Sequence, residues 1–310
     1  MGKLISTKGM PQEEWLKYRQ KGIGGSDAGA ICGVNPYSTA LKIYQDKTSA
    51  EPEILDSESM RQGRDLEEYV ARRFMEATGK KVRRSNFMYQ HDSYPFMLAD
   101  IDRMVVGEDA GLECKTASAF SADKWKDDTV PEHYILQCMH YMAVTGTSAW
   151  YIAVVLLGKE FKWKKIERDE EMIHDLIKIE QDFWFGHVIP RIMPEPDGSK
   201  EYDELLNHYF HTARKASTIP LVGFDGKLAR RQEILSLTEK LETEKAKIDQ
   251  ELKLYLADTE AAESAKYRVF WTNTTTNRLD SRLLKTEHPE IYDRYSKTMP
   301  GRRFSVRAIA

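Results

Sequence analysis

The spacing of apolar residues predicts helices at the start of the chain. In residues 57–78 apolar side chains recur at steps of three and four, and Gly79 follows. This period is typical of an amphipathic helix that ends at a glycine. A Pro before residue 12 and the Gly-rich run GIGGSDAGAICG, with Ser26-Asp27 as the expected cap, indicate shorter helices. Those shorter helices are predicted over 12–20, over 26–33 and from 38 onward.

Strand-like patterns alternate with helices through the centre of the chain. The strands are predicted at Lys81–Gln90, Phe96–Val106, Gly111–Ala117, Ala149–Leu157 and Phe161–Glu167. The run Ala149–Leu157 is nearly all apolar, which is typical of a strand covered on both faces. Helices are predicted over 132–145 and 169–188.

The C-terminal third has a different pattern. Pro and Gly residues collect in 191–226, which predicts a linker or an irregular hairpin. Residues 227–263 are polar and helical, with apolar residues seven apart but Glu244 and Glu251 in the partner positions. A lone packed helix and a coiled coil both remain open. Two β-like runs are predicted at Tyr267–Trp271 and Arg303–Ile309. The predicted domains are 1–190, the linker 191–226, and a helical and basic β accessory module, 227–310.

Composition and charge exclude several protein classes. The 310 residues are 41% hydrophobic and carry a net charge of −3, which indicates a folded core and excludes a uniformly basic coat protein. Residues 266–310 hold ten Lys or Arg against four Asp or Glu, which favours a local surface for a polyanion. The absence of about 18 consecutive apolar residues and of an apolar leader predicts a cytoplasmic protein without a membrane span. The odd set Cys32, Cys114 and Cys138 fits neither a disulfide framework nor a four-cysteine metal site.

The candidate chemistry lies in residues 96–117, FMLADIDRMVVGEDAGLECKTA. Asp102 and Glu113 converge if the two predicted strands pair, and Glu113 shares a face with Lys115 because side chains alternate along a strand. Two carboxylates with a backbone carbonyl form a hard oxygen site suited to Mg²⁺ or Mn²⁺. Lys115 would orient a water and lower its pKa, or stabilise a pentacovalent phosphate. The same residue types also occur on solvated edge strands, so the pattern alone leaves a structural role open.

A longer ordered set of motifs resembles a known family. The set is Arg19, Gly25-Ser26-Asp27, Gly63-Arg64-Asp65-Leu66-Glu67, Asp102, Glu113-Cys114-Lys115, Tyr134-Ile135-Leu136-Gln137 and Ala149-Trp150-Tyr151-Ile152-Ala153. In this order the motifs are similar to the YqaJ-type viral recombinase family, which belongs with lambda exonuclease in the PD-(D/E)xK nuclease superfamily. The resemblance covers about residues 12–190. It implies an α/β fold with a restriction-endonuclease-like core, in which a mixed sheet is flanked by helices.

The resemblance also implies roles for single residues. Asp102, Glu113 and the backbone carbonyl of Cys114 correspond to metal ligands, and Glu67 corresponds to a carboxylate that supports a second metal directly or through water. Lys115 and Gln137 complete the catalytic set. Arg19 and Ser26 correspond to the pair that holds the terminal 5′ phosphate.

The chain departs from the family at several positions. Ile101 replaces the family's proline, and Asp100 and Ser121 stand where a serine and an arginine contact the phosphate. Lys124 or Lys126 would complete the phosphate pocket instead. Asp27 is expected to cap a helix, although a ligand role stays open, and Asp100 is an alternative metal ligand. His133 and His140 are expected to be structural, because hard oxygen sites rarely use histidine.

The implied activity is 5′ to 3′ exonuclease digestion of double-stranded DNA, with two Mg²⁺ or Mn²⁺ ions, to leave 3′ single-stranded overhangs for phage-type homologous recombination. The implied partners are DNA ends, a single-strand annealing protein and further copies of the chain in a ring, with a trimer favoured. The alternatives are a restriction-like DNA endonuclease with the same site and a catalytically silent DNA-binding recombination scaffold. The expected location is the cytoplasm of a bacterial host, with the chain encoded by a phage or prophage.

Overall fold

The computed structural model describes residues 2–52, 57–127, 129–214, 218–297 and 301–307. It divides into two compact units, Met1–Leu205 and Leu206–Ala310. The helices that begin before the division are α1 (Gln12–Arg19), α2 (Gly25–Ile31), α3 (Ala40–Thr48), α4 (Glu58–Thr78), α5 (Glu132–Thr145), α6 (Glu170–Phe183) and α7 (Lys200–Tyr209). A 3₁₀ segment lies at Ala119–Trp125 and a π turn at Trp184–Val188. The strands are β1 (Gly2–Ser6), β2 (Ile23–Gly24), β3 (Val82–Arg84), β4 (Phe87–Gln90), β5 (Met97–Asp100), β6 (Arg103–Val105), β7 (Ala110–Ala117), β8 (Ala149–Leu156) and β9 (Glu160–Glu167).

Helix α4 begins and ends where its sequence indicates. The Ser57 hydroxyl accepts a hydrogen bond from the Met60 amide at 3.2 Å, which satisfies one of the free N–H groups at the helix start. Gly79 ends the helix with a φ of +71°, a conformation that glycine adopts without the steric cost of a Cβ atom. The apolar face buries Val70 and Phe74 against the sheet below.

Two of the predicted strands are each divided between two sheets. The described strands of the first unit form a four-stranded sheet in the order β1-β4-β5-β2 and a five-stranded sheet in the order β3-β6-β7-β8-β9. Strands β3 and β4 come from the single predicted strand Lys81–Gln90, and β5 and β6 come from Phe96–Val106. The chain passes from one sheet to the other at Ser85-Asn86 and again at Ile101-Asp102. Asp102 therefore lies at a junction between strands rather than inside one.

The five-stranded sheet is mixed and provides the platform for the site. Strand β6 pairs antiparallel with β7, and β7 pairs parallel with β8 over its whole length. Helix α5 connects β7 to β8, because parallel neighbours need a crossover rather than a hairpin. Strand β8 is buried on both faces, as its apolar run predicts. The predicted mixed α/β architecture with flanking helices is confirmed, although it uses two sheets.

The segment predicted as a linker contains regular structure. Helix α7 lies inside 191–226, and the division between the units falls within that helix at 205/206. The helix forms because the Ser199 hydroxyl accepts a hydrogen bond from the Tyr202 amide at 3.1 Å, while the Tyr202 hydroxyl donates to the Pro194 carbonyl at 2.8 Å.

The second unit consists of one long helix and short elements. Its described elements are α8 (Asp225–Leu256), the antiparallel pair β10 (Ala261–Glu263) and β11 (Arg268–Phe270), α9 (Ser281–Glu287) and α10 (Pro289–Tyr295). The predicted β-run Arg303–Ile309 is wrong for residues 303–307, which form no strand, and its remainder lies outside the described residues. Helices α9 and α10 were not predicted. Asp280 starts α9 by accepting hydrogen bonds from the amides of Arg282 and Leu283.

Candidate active site

The pairing of β6 with β7 brings the two predicted carboxylates together. The last paired residues of this ladder are Arg103 and Leu112, so Asp102 and Glu113 lie at the next opposed position. The Cys114 amide donates a hydrogen bond to Asp102 Oδ2 at 2.8 Å, which ties Asp102 to the neighbouring strand. Lys115 lies on the same face of β7 as Glu113, and its Nζ is 2.6 Å from Glu113 Oε1.

Helix α5 adds Gln137 to this group. Its Nε2 donates to Glu113 Oε1 and to the Tyr141 hydroxyl, each at 2.8 Å. The other carboxylate oxygen, Glu113 Oε2, is buried and has no hydrogen-bond partner in the described part of the chain. A buried acceptor without a partner normally costs about 1–3 kcal/mol, and more when it is charged. Glu113 Oε2 is therefore the oxygen that is available for a cation.

Burial and like charge perturb the acids of this group. Burial raises the pKa of Asp102 well above its usual value, and the neighbouring charges of Glu113 and Glu67 raise it further. Burial also raises the pKa of Glu113, although Lys115 partly offsets the effect. Burial alone would lower the pKa of Lys115, but the adjacent Glu113 outweighs it and the pKa is raised. Crowded carboxylates of this kind favour binding of a cation.

Glu67 lies beside the same cleft, but it is held by a residue that the sequence did not indicate. The Arg103 guanidinium forms an ion pair with Glu67 through Nη1, contacts Glu68 Oε2 at 3.0 Å and donates to the Asp102 carbonyl at 2.9 Å. Arg103 is buried, with a side-chain exposure of 4%. Its only signal in the sequence is its place directly after Asp102 and its charge opposite the Glu67-Glu68 pair.

The donor chemistry fits a hard divalent cation. Across the described ranges, no three Asp, Glu, His or Cys side chains come together closely enough to bind a metal ion. The available set is therefore two carboxylates, Asp102 and Glu113, with the Cys114 carbonyl between Glu113 and Lys115 in β7. Oxygen donors of this type suit Mg²⁺ or Mn²⁺, and the unpartnered Glu113 Oε2 is consistent with such a ligand role.

Arg19 and Ser26 come together as a second group. Arg19 Nη2 donates to Ser26 Oγ at 3.0 Å and to Asp27 Oδ1 at 2.8 Å. Asp27 also accepts from the Gly24 amide at 2.9 Å, so it acts at the start of α2, where Gly24 rather than Ser26 or Asp27 is the capping residue. The buried ammonium of Lys47, which the sequence did not single out, lies 2.7 Å from Asp27 Oδ2.

Both groups line the same space. A cleft of 620 Å³ and a smaller cavity of 240 Å³ share Trp15, Arg19, Asp102, Glu113 and Lys115 as lining residues. Glu67 and Cys114 line the cleft, whereas Ser26 and Gln137 line the smaller cavity. All of the predicted site residues therefore border one connected region of the first unit.

The alternative ligand Asp100 borders the smaller cavity but has a different partner. Its Oδ2 accepts a hydrogen bond from Trp15 Nε1 at 2.5 Å, and burial raises its pKa. Lys124 and Lys126, proposed to complete the phosphate pocket, line neither cavity. Lys124 lies over the Tyr37 ring, and Lys126 pairs with Asp123.

The two histidines near Gln137 also lie outside the lining of both cavities. His133 packs against the Tyr134 ring, and burial followed by the charge of Lys115 lowers its pKa to about 4. His140 is fully buried, and its Nδ1 is 2.8 Å from Glu180 Oε1. Within the described ranges no helix has the length and apolar character required to cross a bilayer.

Known proteins resemble this chain in sequence and in fold. A protein of Bacillus subtilis (strain 168) described as uncharacterized protein YqaJ is 36% identical over 313 residues, covering 99% of this chain and 98% of that protein. An alkaline exonuclease (LHK-Exo) of Laribacter hongkongensis superposes with a TM-score of 0.51 at 18% identity, covering 64% of this chain and all of that one. The same enzyme in complex with dAMP superposes at 0.50, with 18% identity, 65% of this chain and all of that one. The fold is thus of the PD-(D/E)xK type. Because the model of the YqaJ-like viral recombinase domain matches residues 14–148 as well, the chain belongs to that family.

Proposed function

We propose that this chain is a metal-dependent deoxyribonuclease that digests one strand of duplex DNA from its 5′ end and leaves a 3′ single-stranded overhang. The observation that carries this proposal is the group of Asp102, Glu113, Lys115 and Gln137, in which Glu113 and Gln137 are buried and Glu113 Oε2 has no partner among the described residues. The same region contains Arg19 and Ser26, which suit a terminal phosphate.

Asp102, Glu113 and the Cys114 carbonyl would hold Mg²⁺ or Mn²⁺, with Glu67 supporting a second ion. When bound, two such ions supply a Lewis acid for the scissile phosphate and lower the pKa of water. To support a second ion, Glu67 must break its ion pair with Arg103 or act through a water molecule.

The other side chains of the site have separate roles in the proposed reaction. Gln137 donates to Glu113 Oε1 and so fixes the carboxylate with Oε2 uncommitted. The raised pKa of Lys115 keeps its ammonium charged at neutral pH. Lys115 therefore stabilises the negative charge that develops on the phosphate, rather than removing a proton from water. Arg19 and Ser26 hold the 5′ phosphate of the strand end, so that cleavage begins there.

The biological setting follows from this activity. A 3′ overhang is a substrate for a single-strand annealing protein, which we propose as the partner in phage-type recombination. A homo-oligomeric ring, a trimer in our proposal, would encircle the DNA and prevent dissociation between successive cleavages. The enzyme would act on DNA ends in the bacterial cytoplasm.

The test uses one duplex in three forms, each incubated with Mg²⁺. Two linear forms carry a label at the 5′ or the 3′ end of the same strand, and the third form is a closed circle. We expect early release of the 5′ label as mononucleotide, late release of the 3′ label and an intact circle. Cleavage of the circle would instead establish a restriction-like endonuclease, and DNA binding without any product would establish a silent scaffold.

A further inference from the structure

Arg19 is held by two buried charges that the proposed function does not use: Asp27 binds its guanidinium, and Lys47 binds its backbone carbonyl. We propose that Asp27 and Lys47 are positioning residues that fix Arg19 for a terminal phosphate, and that they thereby set the preference for 5′-phosphorylated over 5′-hydroxyl ends. This inference rests on the proposed function and deepens it, because it concerns which DNA ends the enzyme selects.

Three helices meet at this pair of charges. Lys47, on α3, has a side-chain exposure of 4% and donates from Nζ to Asp27 Oδ2 at 2.7 Å and to the Arg19 carbonyl at 2.9 Å. Asp27, on α2, accepts from Arg19 Nη2 through its other oxygen at 2.8 Å. Lys47 therefore holds both Asp27 and the end of α1, and Asp27 holds the Arg19 side chain.

The arrangement directs the rest of the guanidinium toward the cavity. Arg19 Nη2 is committed to Asp27 and Ser26, and the five donors of a guanidinium form a rigid, planar fork. Fixing one nitrogen therefore fixes the direction of the others. The Arg19 side chain keeps an exposure of 28% and lines both cavities, whereas Asp27 and Lys47 line neither.

The backbone around Ser26 is equally constrained. A Cβ atom at Gly25 would lie 2.6 Å from the Tyr141 ring, so α2 is pressed directly against α5. Tyr141 in turn accepts a hydrogen bond from Gln137, which links the elements that hold Arg19 and Ser26 to the group of Asp102 and Glu113. The position of Arg19 is thereby set relative to the site of cleavage.

Arg19 is the cation best placed to recognise the phosphate. In the smaller cavity, which contains Ser26, the cationic lining residues are Arg19 and Lys115, and Lys115 is paired with Glu113. Ser121 occupies the position of the family's second arginine. A phosphate monoester at a 5′ end carries a charge of about −1.5 to −2, whereas a hydroxyl end carries none. A correctly aimed guanidinium therefore distinguishes the two ends.

The experiment compares the digestion rates of 5′-phosphorylated and 5′-hydroxyl linear duplexes for three variants, Asp27→Asn, Lys47→Gln and the double variant. The double variant removes both members of the buried Asp27–Lys47 pair and leaves only the half-buried Arg19 without its partner, so it should disturb the fold less than either single variant. If the position of Arg19 determines the preference, all three variants lower the ratio of the rate on phosphorylated ends to the rate on hydroxyl ends. The ratio falls by about tenfold or more, which is the effect of losing one hydrogen bond to a charged group. The rate on hydroxyl ends then stays within about threefold of the wild type, because a hydroxyl end carries no charge for Arg19 to recognise.

If the preference depended only on the net charge near the cavity, the three variants would give a different pattern. Asp27→Asn would raise the ratio, Lys47→Gln would lower it, and the double variant would restore it. That pattern overturns the inference, as does an unchanged ratio in a folded double variant. Lys80→Gln is the control, because it removes a cation from another half-buried ion pair, Lys80–Glu108, which contacts none of Arg19, Asp27 and Lys47, and its ratio should equal that of the wild type.

Failure of the proposed function gives a distinct result. If the wild type does not digest linear duplex, both proposals fall. If Arg19→Ala leaves the ratio unchanged while digestion proceeds, the phosphate role of Arg19 and this inference fall, whereas the nuclease assignment stands. If Arg19→Ala lowers the ratio and the double variant does not, only this inference is overturned.

Discussion

Replacing Asp102 by asparagine is expected to stabilise the metal-free protein and to abolish its response to divalent cations. The change removes one negative charge from a buried group but keeps an oxygen that accepts the Cys114 amide. Burial and the charges of Glu113 and Glu67 oppose ionisation of Asp102 and raise its pKa. The carboxylate is therefore maintained at a cost to the fold, as expected of a ligand position.

The size of the effect follows from the burial of Asp102. A carboxyl whose pKa is raised by one unit in the fold costs about 1.4 kcal/mol more to ionise. The pKa of Asp102 lies well above its usual value, so relieving its charge is worth at least about that much. For a unit of this size each kcal/mol raises the melting temperature by about 2–4 °C. In the wild type, a metal at about 100 times its dissociation constant adds about 2.7 kcal/mol. The variant is therefore more stable in a chelator and loses that advantage when Mg²⁺ saturates the wild type.

The assay is thermal unfolding of both proteins in EDTA and in a series of Mg²⁺ or Mn²⁺ concentrations, without DNA. Asp100→Asn is the matched control, because Asp100 is a nearby carboxylate with a raised pKa but is bound to Trp15. It should keep the full response to metal. The reasoning is refuted if Asp102→Asn is less stable than the wild type in EDTA, or if Mg²⁺ stabilises both equally.

Three further perturbations test other parts of the structure. Gly25→Ala should destabilise the protein by about 1–3 kcal/mol in urea unfolding, because the new Cβ would meet the Tyr141 ring at 2.6 Å; an unchanged midpoint would contradict this contact. Burial alone would lower the pKa of His140, but the charge and hydrogen bond of Glu180 and the hydrogen bond to the Leu98 carbonyl together raise it, so the folded protein keeps a proton that the unfolded chain releases above pH 6.5. The unfolding free energy should therefore fall by up to about 1.4 kcal/mol per pH unit above that value, and Glu180→Gln should remove the slope. If residues 266–310 contact DNA, the double variant Arg303→Gln/Arg307→Gln should show a weaker salt dependence of DNA binding. The slope of the logarithm of the binding constant against the logarithm of the salt concentration should shrink by about 0.9 for each phosphate contact that is lost, whereas an unchanged slope would place these residues away from DNA.

Local patterns predicted the helices α1 to α6 and α8 and the existence of most strands, because those depend on period and end signals, whereas α7, α9 and α10 were missed. Helix α4 shows both, since Ser57 caps its start and Gly79 ends it. The division of two strands between sheets was not predictable in this way. It depends on distant pairing, such as that of β1 with β4, and β1 itself was missed because its partner lies more than 80 residues away.

The candidate site was predictable where strand alternation and motif order determine it. Glu113 and Lys115 share a face by the geometry of any strand, and Asp102 meets them through the following turn. Arg103 and Lys47 escaped prediction because their roles depend on burial against other elements. An arginine or lysine in a polar stretch is usually solvated, and only the fold shows that these two are paired beneath the surface.

The most direct test of the central claim is the rate of mononucleotide release from 5′-phosphorylated linear duplex in Mg²⁺, with the wild type compared with Glu113→Gln. The variant keeps the size of the side chain but loses the charge at the unpartnered oxygen. We expect a loss of at least about a hundredfold in rate from a variant that still unfolds cooperatively, although loss of the ion pair with Lys115 lowers its melting temperature in EDTA. Retention of activity within about tenfold, a loss smaller than that of any single electrostatic group in such a site, would contradict the assignment of the active site.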